Sequence, residues 1–128
     1  MAEPAEYTIL VVDDEPTIRI YLKMALSLEG YDVIVASDGA DALIQASKQR
    51  IHVVFLDNDM PGLSGLDVLP ILHRDYPDVA IIMASAEAGT GIATRAMQAG
   101  AFDCIRKPID LDDLLEITAR ACESKTQS

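Results

Sequence analysis

Residues 7–30 read Tyr-Thr-Ile-Leu-Val-Val-Asp-Asp-Glu-Pro-Thr-Ile-Arg-Ile-Tyr-Leu-Lys-Met-Ala-Leu-Ser-Leu-Glu-Gly. The β-branched, apolar run from Tyr7 to Val12 has the composition of a buried strand. Acids follow at Asp13, Asp14 and Glu15. From Pro16 to Glu29 the spacing places Ile18, Tyr21, Leu22, Ala25 and Leu28 on one helical face. Pro16 suits the first helical turn, and Gly30 suits the position after the last. The same strand-then-helix unit recurs along the chain. Further strands are expected at Asp32–Ser37, Ile51–Leu56, Val79–Ala84 and Phe102–Ile105. Helices are expected at Gly39–Gln49, Leu66–Tyr76, Gly91–Ala99 and Leu111–Ser124, the last capped by Asp110. Helix-forming crossovers between strands imply a parallel sheet covered on both faces, a doubly wound α/β domain.

The chain has 128 residues, 50% of them hydrophobic, which suits one domain with a filled core. Its 10 Lys and Arg face 21 Asp and Glu, a formal net charge of −11. Such a surface repels phosphate backbones and anionic lipids, so direct nucleic-acid or membrane binding is disfavoured and cations are favoured. Apolar runs such as Val79–Ala84 are too short to span a bilayer, and the acidic first residues do not form a signal peptide. Cys104 and Cys122 form no metal-binding pattern and read as free thiols in a reducing cytoplasm. His52 and His73 stand in no ligand spacing. The expectation is one cytoplasmic domain over 1–128, with a core at about 7–123 and flexible ends at 1–6 and 125–128.

A parallel sheet delivers the last residues of every strand to one edge, where doubly wound folds bind ligands. Here those residues are Asp13-Asp14-Glu15, Asp57, Ser85 and Lys107-Pro108. Each has an ordinary explanation taken singly: a helix cap, turn chemistry before Pro-Gly, a backbone bond, a solvated charge. Together, Asp13, Asp14 and Asp57 gather three carboxylates with a hydroxyl and a lysine. Two like charges at about 4 Å repel by roughly 4 kcal/mol at an effective dielectric near 20. A hard divalent ion, Mg²⁺ or Mn²⁺, relieves that repulsion. A carboxylate beside such an ion and a lysine is equipped to attack phosphorus, giving an aspartyl phosphate.

Four segments carry a resemblance. They are Ile-Leu-Val-Val-Asp-Asp-Glu at 9–15, Leu-Asp-Asn-Asp-Met-Pro-Gly-Leu-Ser-Gly at 56–65, Ala-Ser-Ala-Glu at 84–87 and Gly-Ala-Phe-Asp-Cys-Ile-Arg-Lys-Pro at 100–108. In this order and spacing they resemble a response-regulator receiver domain, from about Tyr7 to Glu123. The resemblance implies a flavodoxin-like three-layer α/β/α fold with strand order 2-1-3-4-5. It implies Asp57 as phosphoacceptor and Asp13, Asp14, Asp57 and the backbone carbonyl of Asp59 as Mg²⁺ ligands. Lys107 would contact the phosphoryl group, with a cis bond to Pro108, and Ser85 would hold the hydroxyl switch position. The implied partners are a histidine kinase or histidine phosphotransfer protein and an effector protein, with no nucleic acid contacted directly. The resemblance also implies a stand-alone switch, monomeric or weakly dimeric on phosphorylation, rather than a metabolic enzyme.

Two features depart from the family pattern. Cys104 occupies the place of an aromatic residue that gates output; Phe102 lies two residues away on the expected strand face. Asp59 and Glu87 put extra carboxylates beside the site. Two competing readings make different demands. A haloacid-dehalogenase-like phosphatase would use Asp13 as nucleophile, but Glu15 stands where a second Asp is needed. A scaffold would need no phosphate at all. A nucleotide-binding loop is excluded, because no glycine-rich motif follows strand one.

Overall fold

The computed structural model describes residues 3–86 and 91–126. Five strands, β1 (Thr8–Val12), β2 (Asp32–Ala36), β3 (Val53–Asp57), β4 (Ala80–Ser85) and β5 (Asp103–Arg106), form one sheet. Its order is β2-β1-β3-β4-β5, and every pairing is parallel. Helices α1 (Pro16–Leu28), α2 (Gly39–Lys48), α3 (Gly65–Asp75), α4 (Ile92–Gln98) and α5 (Leu111–Thr126) connect and follow the strands. The doubly wound architecture and strand order expected above are the ones observed.

Two apolar layers sandwich the sheet. Leu10, Val54 and Ile81 pack under α2, α3 and α4 with Ala42, Leu69 and Ala96. Ile9, Phe55 and Ile82 pack on the other face with Leu22, Leu26 and Leu114 of α1 and α5. Period-two alternation along each strand divides side chains between the layers. Full burial of one such side chain contributes about 1.5–3 kcal/mol.

The inward stripe of α1 differs from the expected one. Leu22 and Leu26 are buried, while Tyr21 and Leu28 are exposed. The Tyr21 hydroxyl donates to the Ile109 carbonyl at 3.3 Å, which holds the ring at the rim. On α5 the buried positions are Leu114, Ile117, Thr118, Ala121 and Cys122, and Leu111 is exposed. Asp110 does cap that helix, accepting from the Asp113 N–H at 3.3 Å. Strands β3, β4 and β5 each begin and end later in the chain than the side-chain pattern suggests, which brings Asp57 and Ser85 into the ladder. Backbone pairing is indifferent to the polar side chain that follows an apolar run.

Phe102 and Cys104 do not share a face. Phe102 precedes β5 and packs with the α1–α5 layer, whereas Cys104 packs with the opposite layer. Alternation cannot be extended to a residue outside the ladder. At the ends, Pro4–Glu6 forms a 3-10 turn, and Lys125, expected in a polar tail, lies within α5. Glu87, Gly89 and residues 127–128 lie outside the described residues. Pro70 sits inside α3 without interrupting it, and that helix starts in a capping box. Ser64 Oγ accepts from the Asp67 N–H at 3.2 Å, and the Asp67 carboxylate accepts from the Ser64 N–H at 2.9 Å.

Candidate functional site

Register brings the strand ends together. Val12 of β1 pairs with Leu56 of β3, so Asp13 and Asp57 leave adjacent strands side by side. Asp57 itself pairs with Ala84 of β4. Ser85 pairs with Arg106 of β5, and its carbonyl accepts from the Lys107 N–H at 3.0 Å. The Lys107–Pro108 peptide is cis, as expected. Lys107 Nζ then reaches both acids, 2.8 Å from Asp13 Oδ2 and 2.9 Å from Asp57 Oδ1.

Both acids are almost sealed from solvent, at 2% exposure for Asp13 and 1% for Asp57. Burial raises the Asp57 carboxyl above the usual carboxylate range, against the lowering effect of Lys107 and of the Asp59 amide. Burial lowers the Lys107 ammonium, but hydrogen bonds to Asp13 and Asp57 overcome it and the net direction is up. The lysine is held charged between two acids, only one of which is fully satisfied. Asp13 Oδ1 accepts from the Glu15 N–H at 2.9 Å, so both its oxygens are engaged. Asp57 Oδ1 accepts from the Asp59 N–H at 3.0 Å as well as from Lys107. Asp57 Oδ2, also buried, has no hydrogen-bond partner among the described residues. A buried acceptor left in that state costs about 1–3 kcal/mol, more when charged.

Asp13, Asp14 and Asp57 each offer a carboxylate oxygen, all within 4.8 Å of one another. An all-oxygen set with one unpartnered buried atom matches the chemistry of a hard divalent cation. The residues present therefore fit a metal site. The carboxylate of Asp59 is not part of this cluster. Its Oδ2 accepts from the Ala86 N–H at 3.3 Å, tying the loop after β3 to the end of β4. Neither Asp14 nor Glu15 caps α1 through its side chain; Asp13 supplies the acceptor for the Glu15 N–H instead.

Two further residues shape the site. Arg19, in the first turns of α1, donates to the Asp13 carbonyl at 2.6 Å. The sequence signal was there: a cation near a helix N-terminus is opposed by the helix dipole and calls for a partner. Gly65 admits no side chain. A Cβ there would lie 2.6 Å from the Asp57 carbonyl oxygen and 2.8 Å from Met83 Sδ. Cys104 pairs with Met83, and its thiol donates to the Ala93 carbonyl on α4 at 3.8 Å. Burial, with Asp103 adding, pushes that thiol up and keeps it protonated.

The chain is similar to known proteins. A family model described as the response regulator receiver domain matches residues 9–119. The nitrogen assimilation regulatory protein NtrX of Azorhizobium caulinodans is 38% identical over 120 residues, covering 92% of this chain and 26% of that protein. The transcriptional regulatory protein KdpE of Mycobacterium tuberculosis is 41% identical over 107 residues, covering 84% of this chain and 47% of that protein. The chain thus spans between about a quarter and about half the length of these curated relatives. Among solved structures, a CheY-like receiver domain protein from Methanospirillum hungatei superposes with a TM-score of 0.89 at 28% identity. It covers 95% of this chain and 98% of that one. With the fold, the buried acid–lysine cluster and the family match in agreement, the chain belongs to the response-regulator receiver domains of two-component signalling systems.

Proposed function

We propose that this domain accepts a phosphoryl group on Asp57 from a histidine kinase or histidine phosphotransfer protein and that the aspartyl phosphate switches its partner-binding surface. The observation that carries the reading is Asp57 Oδ2: a buried carboxylate oxygen without a partner among the described residues, beside two further acids and a lysine. It also separates Asp57 from Asp13 as nucleophile, because both oxygens of Asp13 are already engaged. The phosphatase-like alternative needs the opposite.

In the transfer, Asp57 Oδ2 forms the new oxygen–phosphorus bond while the donor's nitrogen–phosphorus bond breaks. The imidazole leaves with the bonding pair and takes a proton from solvent. Asp13, Asp14, Asp57 and the backbone carbonyl of Asp59 would hold Mg²⁺ or Mn²⁺. When bound, the ion supplies positive charge that offsets the phosphoryl oxygens. Lys107 keeps Asp57 oriented through Oδ1 and is placed to follow the added negative charge. The hydroxyl of Ser85, at the end of β4, contacts the new group. The product adds charge and acceptor oxygens to a buried edge, so the loops after β4 and β5 must rearrange around it.

Output passes through α4, β5 and α5. Cys104 replaces a rotating aromatic gate with a small thiol bonded to α4. The switch is a two-state population shift, not metabolic turnover. Beryllofluoride with Mg²⁺ is expected to move amide resonances at Asp57, Ser85 and Lys107 and along α4. An unmoved spectrum favours the scaffold reading.

A further inference from the structure

The cations of this acidic chain serve different partners. At the far edge of the sheet, Arg50, His52 and Lys125 line the mouth of a cavity with Asp78. There Lys125 Nζ donates to the Asp78 carbonyl, and His52 Nδ1 accepts from the Thr8 N–H at 3.0 Å. Both serve backbone at or just before the start of a strand, away from Asp57. Arg74 and Arg120 pair with acids at the surface. Arg19 is placed differently. It stands in the first turns of α1, where the helix dipole opposes a cation, and it turns back to the strand end that carries the acids.

The connection it reaches is short. β1 ends at Val12 and α1 begins at Pro16, so Asp13, Asp14 and Glu15 make the whole link. Every polar group of Asp13 is engaged. Its N–H donates to the Ala36 carbonyl at 3.2 Å, and its carbonyl accepts from Arg19 Nη1 at 2.6 Å. Oδ1 accepts from the Glu15 N–H at 2.9 Å and Oδ2 from Lys107 Nζ at 2.8 Å. The Arg19 N–H donates to the Glu15 carbonyl at 3.1 Å, so one residue closes the link at both ends. No side chain caps α1 at Glu15, and its first turn holds no acid. The link is therefore fastened by Arg19 in place of the usual devices of a helix start. Asp14 lies between these bonds. Among the described residues its carboxylate has no hydrogen-bond or ion-pair partner of its own. Where that carboxylate sits depends on the backbone either side of it.

We propose that Arg19 is a positioning residue for the divalent cation: its bond to the Asp13 carbonyl fixes the link and so holds the Asp14 carboxylate within reach of Asp57. Groups that orient metal ligands from outside the ligand set are worth about 10–100-fold in affinity. This role rests on the metal reading of Asp13, Asp14 and Asp57 and adds a residue from outside that cluster. Charge and position make opposite demands on Arg19. A cation near the site repels a divalent ion, so loss of its charge alone tightens binding. Loss of a clamp weakens it. The sign of the effect separates the two.

The test titrates Mg²⁺ into the full chain and follows amide resonances in wild type, Arg19→Gln and Arg19→Lys. Arg19→Gln is expected to weaken Mg²⁺ by about tenfold or more. Arg19→Lys, which keeps the charge but not the planar fork, is expected to fall between the two. With divalent ions chelated, the Glu15 amide of Arg19→Gln is expected to exchange about threefold or more faster, while the amides of β4 exchange as in wild type. Mg²⁺ binding unchanged or tighter in Arg19→Gln, or an unchanged Glu15 amide, would overturn the proposal. If Arg19→Gln loses the protection of β4, Arg19→Lys decides: binding as tight as wild type overturns the role, and weaker binding with β4 intact supports it. Wild type that takes no Mg²⁺ removes the metal reading as well, whereas wild type and Arg19→Gln binding alike remove the role of Arg19 alone.

Discussion

The two edges of the sheet crowd like charges in opposite senses. At one, Asp13, Asp14 and Asp57 gather round Lys107; at the other, Arg50, His52 and Lys125 gather near Asp78. At the first edge Asp13 and Asp57 are buried to within 2% of complete and Asp14 is half-buried, whereas at the other Arg50 is exposed and His52 and Lys125 are half-buried. Burial decides how much crowding matters. Solvent screens the basic mouth, so its charges couple weakly, while the acidic edge holds its charges where only fixed partners answer them.

The sharpest way to break the comparison is Asp57→Ala. Labelling by acetyl phosphate with Mg²⁺ is expected to vanish, with circular dichroism unchanged; retained label mapping to Asp13 would reverse the assignment. Next is Lys107→Ala, which strands two buried acids. Urea unfolding without divalent ions is expected to show a loss of about 3–5 kcal/mol, which added Mg²⁺ narrows. The matching change at the other edge, Lys125→Ala, is expected to stay within about 0.5 kcal/mol. If the two lysines cost the same, burial is not what separates the edges.

Gly65→Ala forces a Cβ against the Asp57 carbonyl and is expected to cost about 1–3 kcal/mol in the same assay. Phosphorylation slows with it, because the strand end that aims Asp57 must shift. A smaller effect belongs to Asp59→Ala, which frees the Ala86 amide. Hydrogen exchange at Ala86 is expected to rise about two- to tenfold, the worth of one net hydrogen bond.

The smallest effect lies at the basic mouth. His52 in the folded chain titrates below its ordinary value of 6.5, through burial and then Arg50 and Lys125. The unfolded chain therefore takes the proton first as pH falls. The stability is fully present above the unfolded value and is lost as pH drops below it. His52→Asn offers the Thr8 N–H an oxygen and does not titrate. Its urea midpoint is expected to fall less than wild type between about pH 7 and pH 5.

Much of the acidic edge was legible in the chain. Asp13, Asp14, Asp57 and Lys107 each stand at or just beyond the end of an expected strand, and strand ends of a parallel sheet share an edge. The metal role of the Asp59 backbone carbonyl remains a proposal from resemblance, and the side chain's bond to Ala86 had no local signal. Arg19 drew no reading from the sequence, although a cation in the first turns of α1 calls for a partner. The inward face of α1 was misread at Tyr21 and Leu28 because several apolar residues compete for one stripe, and the Ile109 carbonyl settles where Tyr21 goes. Phe102 was misplaced because alternation holds only while the ladder lasts.

By itself the sequence determined the alternating strands and helices, the acidic charge and the residue types waiting after each strand. These follow from side-chain periods of two and about 3.6, which are local. Only the tertiary structure decided that Asp57 Oδ1 and Asp13 Oδ2 share Lys107 and that Asp57 Oδ2 has no partner among the described residues. Those outcomes depend on register between strands distant in the chain, set by backbone hydrogen bonds and by packing on both faces at once.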